Sequence, residues 1–192
     1  HRLENSVAAV AACFGAGLPL PECLPGLGEV VFTPGRGDVV QTGHCVVVND
    51  TYNANPAAVR SALDDLVDLA LYHGGRPVAV LGDMLELGPE DERFHEECGA
   101  YAAAAGVQRL WGVGPLSQAT ARGFRDAAQA GQTAGHVETV DDVSPVLAGL
   151  LPGDVILFKA SRSVGLEAMV AAVVKAGGPS GDAAGTGRGD ET

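Results

Sequence analysis

The chain has 192 residues, of which 46% are hydrophobic, and 12 basic against 24 acidic residues give it a formal net charge of −12 at pH 7. This length allows one good-sized domain with a further segment, and this hydrophobic content is enough for a packed core. Because so acidic a chain lacks the basic surface that nucleic acids and anionic membranes attract, we expect neither nucleic-acid binding nor membrane insertion.

The cysteines and the apolar runs indicate the compartment. Cys13, Cys23, Cys45 and Cys98 show no C-x-x-C spacing, and disulfide frameworks belong to short secreted chains, so reduced thiols are predicted. No apolar run reaches the roughly 18 residues of a membrane-spanning helix. No signal-peptide pattern opens the chain. These features favour a piece of a longer cytoplasmic protein.

The first 36 residues differ in composition from the rest. Residues 3–17 are alanine-rich with helical periodicity, and residues 18–36 are rich in proline and glycine. The second stretch has the composition of a linker, with a short helical turn expected near residues 21–27.

From residue 37 onward, strand and helix patterns alternate. A hairpin at residues 39–46 leads into strands predicted at 45–49, 77–82, 108–113, 136–140 and 154–159, and helices are predicted at 56–72, 89–105, 116–130, 142–150 and 165–176. Repeated βα units predict the α/β class, with a Rossmann-like, mostly parallel sheet and helices on both faces. Residues 177–192 carry no large apolar side chain, so disorder is predicted there.

Residues 46–56 are the most informative segment. A β-branched run ends in polar residues, and a proline then suits the first turn of a helix. The polar residues therefore lie at the carboxyl end of a strand, where open α/β sheets bind ligands. For Asp50 and Asn55 the alternative to ligand contact is ordinary capping of the following helix, since both residue types accept from free N–H groups. Tyr52 and Asn53 have no capping task and favour ligand contact.

Polar residues follow other strands too. Asp83 follows the strand at 77–82, where it either faces a substrate or closes an Asx-turn. The stretch Gly112 to Ser117 has an incomplete phosphate-turn spacing, which tight strand-to-helix packing explains better. Lys159, Ser161 and Arg162 end or follow the last strand. They predict a carboxylate or phosphate site, or else ordinary salt bridges.

Two kinds of site are not predicted. His44, His73, His95 and His136 are scattered without an i, i+4 pair, which argues against a metal site built by this chain alone. No stretch fits G-x-x-x-x-G-K-[ST], the loop that cradles ATP phosphates and holds Mg²⁺.

Four segments resemble, in order, the Mur ligases of peptidoglycan synthesis, and especially those that add D-alanyl-D-alanine. They are residues 1–9, 50–56, 81–88 and 159–162, with Pro34-Gly35-Arg36 at the hinge position. The chain departs from the family at two positions. Asn49 stands where the family usually has a second acid, and Ala160 stands where it usually has glycine.

The resemblance implies that residues 1–36 are the end of a central ATP-binding domain and the hinge, 37–176 the C-terminal domain and 177–192 a disordered tail. It implies an ATP-dependent amide ligase that joins D-alanyl-D-alanine to UDP-N-acetylmuramoyl-tripeptide through an acyl phosphate. ATP and Mg²⁺ would be bound mainly by a central domain upstream. The chain alone would therefore be inactive.

The resemblance also implies residue roles. It assigns ATP contacts to Asn5, Arg36, Asp50 and Tyr52, and substrate contacts to Asn53, Asn55, Asp83, Lys159, Ser161 and Arg162. None of these residues is a covalent nucleophile, and we expect a cytoplasmic monomer. Two alternatives stay open: another ligase of the superfamily, such as a folylpolyglutamate synthetase, and a stand-alone α/β small-molecule binding module without catalysis.

Overall fold

A computed structural model of the chain describes residues 2–29 and 33–178. Two compact units divide between Thr33 and Pro34. The first contains helix α1 (Arg2–Gly15), the short helix α2 (Leu20–Cys23) and a 3-10 turn (Pro25–Glu29). It buries few of its apolar side chains, since Val7 and Phe14 of α1 are each 61% exposed.

The second unit is built on a six-stranded sheet. Its strands are β1 (Asp38–Gln41), β2 (Val46–Asp50), β3 (Pro77–Gly82), β4 (Arg109–Val113), β5 (Thr133–Val137) and β6 (Val155–Lys159). Their spatial order is β1-β2-β6-β3-β4-β5. Only β1 runs antiparallel to its neighbour, and all other pairs are parallel. The predicted α/β class and mostly parallel sheet are confirmed.

Each helix predicted for this unit is present, although most are shorter than predicted. They are α3 (Pro56–His73), α4 (Asp91–Ala105), α5 (Ser117–Ala127), α6 (Ser144–Ala148) and α7 (Glu167–Gly177). Helix α7 continues through Gly177, where a disordered tail was predicted to begin, and the rest of that tail beyond Gly178 lies outside the described residues.

The prediction for the fifth strand was wrong in position. It placed the strand at residues 136–140, but β5 runs from Thr133 to Val137. The first three residues of β5 are small or polar and carry no strand pattern of their own. Gly135 is there because a Cβ at that position would lie 2.2 Å from the ring of Trp111 on β4, and this contact between strands has no local signal.

Helices cover both faces of the sheet because strand side chains alternate between two apolar clusters. Ala79 and Leu81 of β3 join a cluster with buried residues of α3, α4 and α5, whereas Val78 and Val80 join one with α6 and α7. This period-2 alternation in a strand buried on both sides is typical of parallel sheets. None of the helices in the described part of the chain is long and apolar enough to cross a membrane.

Candidate functional site

Four neighbouring strands bring their carboxyl ends to one side of the sheet, in the order β2, β6, β3 and β4. The register sets Lys159 of β6 opposite both Asp50 of β2 and Leu81 of β3. Arg36 lies at the same side because β1, which follows it, is antiparallel to β2. We call this side the carboxyl edge. Parallel sheets bind ligands there.

Lys159 is held inside the carboxyl edge. Its side chain is 4% exposed, and its ammonium lies 2.5 Å from Oδ2 of Asp50 and donates to the carbonyl oxygen of Asn53 at 2.9 Å. The salt-bridge alternative raised by the sequence therefore holds for Lys159. Its ammonium ties the end of β6 to the loop after β2, and a direct substrate contact by Lys159 remains only a prediction.

Two guanidinium groups lie over the ring of Tyr52. Cζ of Arg36 is 3.8 Å from the centre of the Tyr52 ring, and Cζ of Arg162 is 5.2 Å from it, both within cation–π range. The backbone N–H of Tyr52 donates to the carbonyl of Gly35 at 2.9 Å, which fixes the turn that carries Arg36. We call Arg36, Tyr52 and Arg162 the arginine–tyrosine cluster. It unites an aromatic face with two forked cations, a combination suited to anions and flat rings.

The two asparagines of the loop after β2 have local partners. Oδ1 of Asn55 accepts from the backbone N–H of Ala58 at 2.9 Å, and Pro56 takes the first position of α3. Asn55 is thus the N-cap of α3, as the capping alternative predicted for it, and Asp50 has no such task. Asn53 bonds to the N–H of the next residue, Ala54. Both asparagines are exposed, and their ligand contacts remain predictions.

Asp83 is buried at 6% exposure just beyond β3. Its Oδ1 accepts both the backbone N–H and the hydroxyl of Ser117, each at 2.8 Å. The residue at the N-cap position of α5 makes no side-chain hydrogen bond to the helix. Asp83, which follows β3, therefore caps α5 from outside the helix. The predicted Asx-turn is therefore not the role of this carboxylate.

Two residues hold the loop after Asp83 in place. Oγ of Ser161 accepts from the N–H of Leu85 at 2.9 Å, and the N–H of Ser161 donates to the carbonyl of Asp83 at 3.0 Å. His95 of α4 is completely buried, and its Nε2 accepts from the N–H of Met84 at 2.9 Å while Nδ1 bonds to the carbonyl of Asp91 at 2.7 Å. These partners require the neutral ring with its proton on Nδ1. The sequence interpretation gave His95 no role, because its partner lies 11 residues away on another element.

The glycines after β3 and β4 serve close packing. A Cβ at Gly112 would lie 2.4 Å from the carbonyl of Ser117, in agreement with the packing interpretation of this turn. A Cβ at Gly82 would lie 2.7 Å from Cβ of Ala160, so the alanine that departs from the family fits because its neighbour is glycine. Gly114 has a φ of +101°, and a Cβ at this position would lie 2.7 Å from the Asp83 carboxylate. Because glycine has no Cβ, this side of the carboxylate is not covered.

A cleft of about 320 Å³ opens beside Asp83. It is lined by Asp83, Leu85, Val113, Gly114, Pro115, Glu138, Thr139, Val140, Ser163 and Val164. We call it the Asp83 cleft. It combines apolar walls with two carboxylates, and no lysine, arginine or histidine lines it.

The predicted ATP contact of Asn5 stays a prediction. Asn5 belongs to α1 in the first unit, and its side chain lies outside the part of the chain that the structure describes.

Among the described residues, no group of three or more histidine, cysteine, aspartate or glutamate side chains is arranged to hold a metal ion. We therefore assign no Mg²⁺ ligand among the described residues.

The chain matches a known protein family and several named relatives. Residues 35–162 match the family described as "Mur ligase, glutamate ligase domain". The chain is 34% identical over 171 residues to the UDP-N-acetylmuramoyl-tripeptide–D-alanyl-D-alanine ligase of Bacillus subtilis, a match that covers 88% of this chain and 37% of that protein. The Escherichia coli ligase of the same name is 31% identical over 178 residues, covering 92% of this chain and 38% of that protein.

The fold is also similar to that of solved structures. A crystal structure of MurF from Acinetobacter baumannii superimposes with a TM-score of 0.77 at 28% sequence identity, covering 90% of this chain and 37% of that one. The chain thus spans little more than a third of the length of these relatives.

Proposed function

The chain belongs to the Mur ligase family and carries its C-terminal domain, and we propose that it is part of an ATP-dependent ligase that adds D-alanyl-D-alanine to UDP-N-acetylmuramoyl-tripeptide. The full-length polypeptide to which the chain would belong is called the parent enzyme below. Because no P-loop lies within residues 1–192, the chain by itself lacks the loop that binds the ATP phosphates and is inactive. The cytoplasmic location is part of the same proposal.

The observation that carries the proposal is the arginine–tyrosine cluster at the carboxyl edge. Tyr52 presents a flat ring, and Arg36 and Arg162 place two cations on it at 3.8 and 5.2 Å. Such a group suits the base and phosphates of a nucleotide and the carboxylates of a peptide. We assign Arg36 and Tyr52 to the nucleotide, and Arg162 to a substrate carboxylate.

Other assignments rest on the family resemblance and on the atoms left available. Oδ1 of Asp50 accepts no hydrogen bond from the described residues, so it is available to a ribose hydroxyl while Oδ2 holds Lys159. Asn5 is assigned to the adenine edge, and Asn53, Asn55 and Ser161 to the peptide substrates. Lys159 then acts mainly by holding the loop that carries Asn53.

The proposed reaction has two steps. An oxygen of the tripeptide carboxylate attacks the γ-phosphorus of ATP, which releases ADP and forms an acyl phosphate. The amine of D-alanyl-D-alanine then attacks the acyl carbon, loses a proton, and phosphate leaves with the carboxylate oxygen. No residue of this chain forms a covalent intermediate, so its contribution is positioning and charge neutralisation. Mg²⁺ is assigned to the upstream domain, and no residue of this chain is assigned to it.

Isotope transfer tests this proposal. The parent enzyme is incubated with ATP, D-alanyl-D-alanine and tripeptide substrate labelled with ¹⁸O in its terminal carboxylate. The proposal predicts one ¹⁸O atom in the released phosphate, in step with product formation. Unlabelled phosphate would contradict the acyl-phosphate route, and the absence of any amide product would support a binding module without catalysis.

A further inference from the structure

We propose that Cys13 and Cys23 of the first unit form a reversible disulfide with each other when they meet a low-molecular-weight disulfide such as oxidised glutathione. The pair is a site of covalent modification that cross-links α1 to α2. This inference concerns the first unit alone and does not depend on the proposed ligase activity.

The turn after α1 brings the two cysteines together. Gly17 has a φ of +90°, and the chain reverses there between α1 and α2. The N–H of Leu18 donates to the carbonyl of Cys13 at 3.1 Å, and the thiol of Cys23 points back to the carbonyl of Leu18 at 3.9 Å. One residue of the turn thus contacts both cysteines.

The helices that carry the cysteines lie side by side. An apolar cleft of about 340 Å³ has Val10 and Phe14 of α1 on one wall and Leu20 of α2 on another. Cys13 is one helical turn from Val10, and Cys23 is one turn from Leu20. The two sulfurs therefore belong to neighbouring parts of the two helices.

The thiols also interact with each other. Partial burial raises the pKa of Cys23 above its ordinary value of 9.0, and the Cys13 thiol raises it further through its charge and as a hydrogen-bond partner. Both cysteines are free and half-buried, so a small disulfide in solution has access to them. Because the thiolate is the attacking form, oxidation should be faster at mildly alkaline pH.

The other two cysteines are separated by the fold. Cys45 is 6% exposed and contacts the hydroxyl of Thr42 at 3.4 Å, whereas Cys98 of α4 is completely buried. They belong to apolar clusters on opposite faces of the sheet. Cys45 and Cys98 therefore cannot pair with each other, and burial protects them from the oxidant.

The first unit is one in which a cross-link has a large effect. Helix α2 has only four residues, and Leu20 and Leu24 are exposed. Units that bury little apolar surface gain much of their stability from covalent links. A disulfide would close the loop of residues 13–23 and restrict its unfolded conformations.

The chemistry is thiol–disulfide exchange. One cysteine thiolate attacks a sulfur of oxidised glutathione, releases reduced glutathione and leaves a mixed disulfide. The second cysteine thiolate attacks the protein sulfur of that bond, forms the disulfide between Cys13 and Cys23 and releases a second reduced glutathione. Two thiol protons and two electrons pass to the oxidant, and reduced glutathione in excess reverses both steps.

The test is a redox titration of the 192-residue chain in reduced and oxidised glutathione at about 1 mM in total, followed by acid quenching, alkylation and peptide mass spectrometry. Thiols held together by the fold have an effective concentration above the mM range. The disulfide between Cys13 and Cys23 should therefore exceed their mixed disulfides with glutathione about tenfold or more. In concentrated urea, where the fold no longer holds the pair, this ratio should fall.

Variants supply the controls. Cys13→Ser should leave glutathione on Cys23, whereas the matched controls Cys45→Ala and Cys98→Ala should keep the bond. Oxidation should also slow chymotrypsin cleavage after Phe14 in the wild type and not in Cys13→Ser.

Four outcomes would overturn the proposal, and none of them depends on how well a variant folds. They are mixed disulfides with glutathione that persist in the wild type, a disulfide that includes Cys45 or Cys98 or joins two chains, cysteines that stay reduced in oxidised glutathione, and the same ratio with and without urea.

Discussion

The ammonium of Lys159 lies 2.5 Å from Oδ2 of Asp50, across two adjacent parallel strands whose register sets the two residues opposite each other. The lysine is 4% exposed and the aspartate 24% exposed at the side chain. Because the same ammonium bonds to the carbonyl of Asn53, this ion pair fixes the loop that carries the candidate ligand-binding residues.

We expect Lys159→Met to destabilise the chain, since it leaves Asp50 and the Asn53 carbonyl without their donor. The partly exposed aspartate can be hydrated, so the loss should be about 1–3 kcal/mol, less than for a fully buried pair. Urea unfolding measures it, with Lys175→Met on the exposed side of α7 as the matched control. In the double variant with Asp50→Asn the losses should not add. Equal stability of Lys159→Met and Lys175→Met would show that the pair does not hold the loop.

Asn55→Ala should cost about 1 kcal/mol of stability, because it removes the N-cap of α3. Asn55→Ser keeps a capping oxygen and should be close to the wild type in urea unfolding. If Asn55 also contacts substrate, the serine variant of the parent enzyme recovers stability but not the KM for its substrates. An alanine variant as stable as the wild type would be evidence against the cap.

Stability should fall at high pH because of Cys98. Burial raises the pKa of this thiol from its ordinary value of 9.0 to about 11. The folded state therefore favours the neutral thiol, and the contribution is fully present below pH 9 and is lost as the pH rises from 9 to 11. The loss should be on the order of 2 kcal/mol. Comparison of the wild type with Cys98→Ala by urea unfolding between pH 7 and pH 10.5 isolates this group, and parallel pH profiles for the two proteins would contradict the prediction.

In the parent enzyme, Arg36→Ala should lower kcat about tenfold or more while changing the KM for ATP less, because we assign its contact to the reactive state. Arg36→Lys should not restore activity, since an ammonium lacks the planar fork that stacks on Tyr52. Arg125→Ala, exposed on α5, is the control for lost charge. Wild-type kcat and KM values in Arg36→Ala would contradict the assignment of Arg36 to the nucleotide.

The sequence was sufficient to predict the helices of the second unit and all but one of the predicted strands, because these elements carry their own periodicity. The alternation of Val78 and Val80 with Ala79 and Leu81 is a local pattern with a direct structural consequence. Strand β5 was misplaced because it includes Gly135, which weakens the local strand pattern, and a Cβ there would lie 2.2 Å from the ring of Trp111 on a neighbouring strand. Contacts of this kind have no local signal.

The same distinction applies to the candidate site. The polar residues after β2, β3 and β6 were recognisable from sequence, and parallel topology brings them to one edge. A salt bridge of Lys159 was one of the predicted alternatives, but its partner was not predicted, because Asp50 is 109 residues away. The role of His95 was not predicted, because Met84 is 11 residues away. The capping of α5 by Asp83 likewise depends on a residue 34 positions away.

The most direct test of the central claim is the choice of amine by the parent enzyme. Purified parent enzyme is given ATP and UDP-N-acetylmuramoyl-tripeptide with D-alanyl-D-alanine, D-alanine or L-glutamate in turn, and the products are identified by mass spectrometry. The account predicts ATP-dependent formation of the amide with D-alanyl-D-alanine, and none by residues 1–192 alone. A product formed with L-glutamate in preference to the dipeptide, or turnover by the isolated chain, would contradict it.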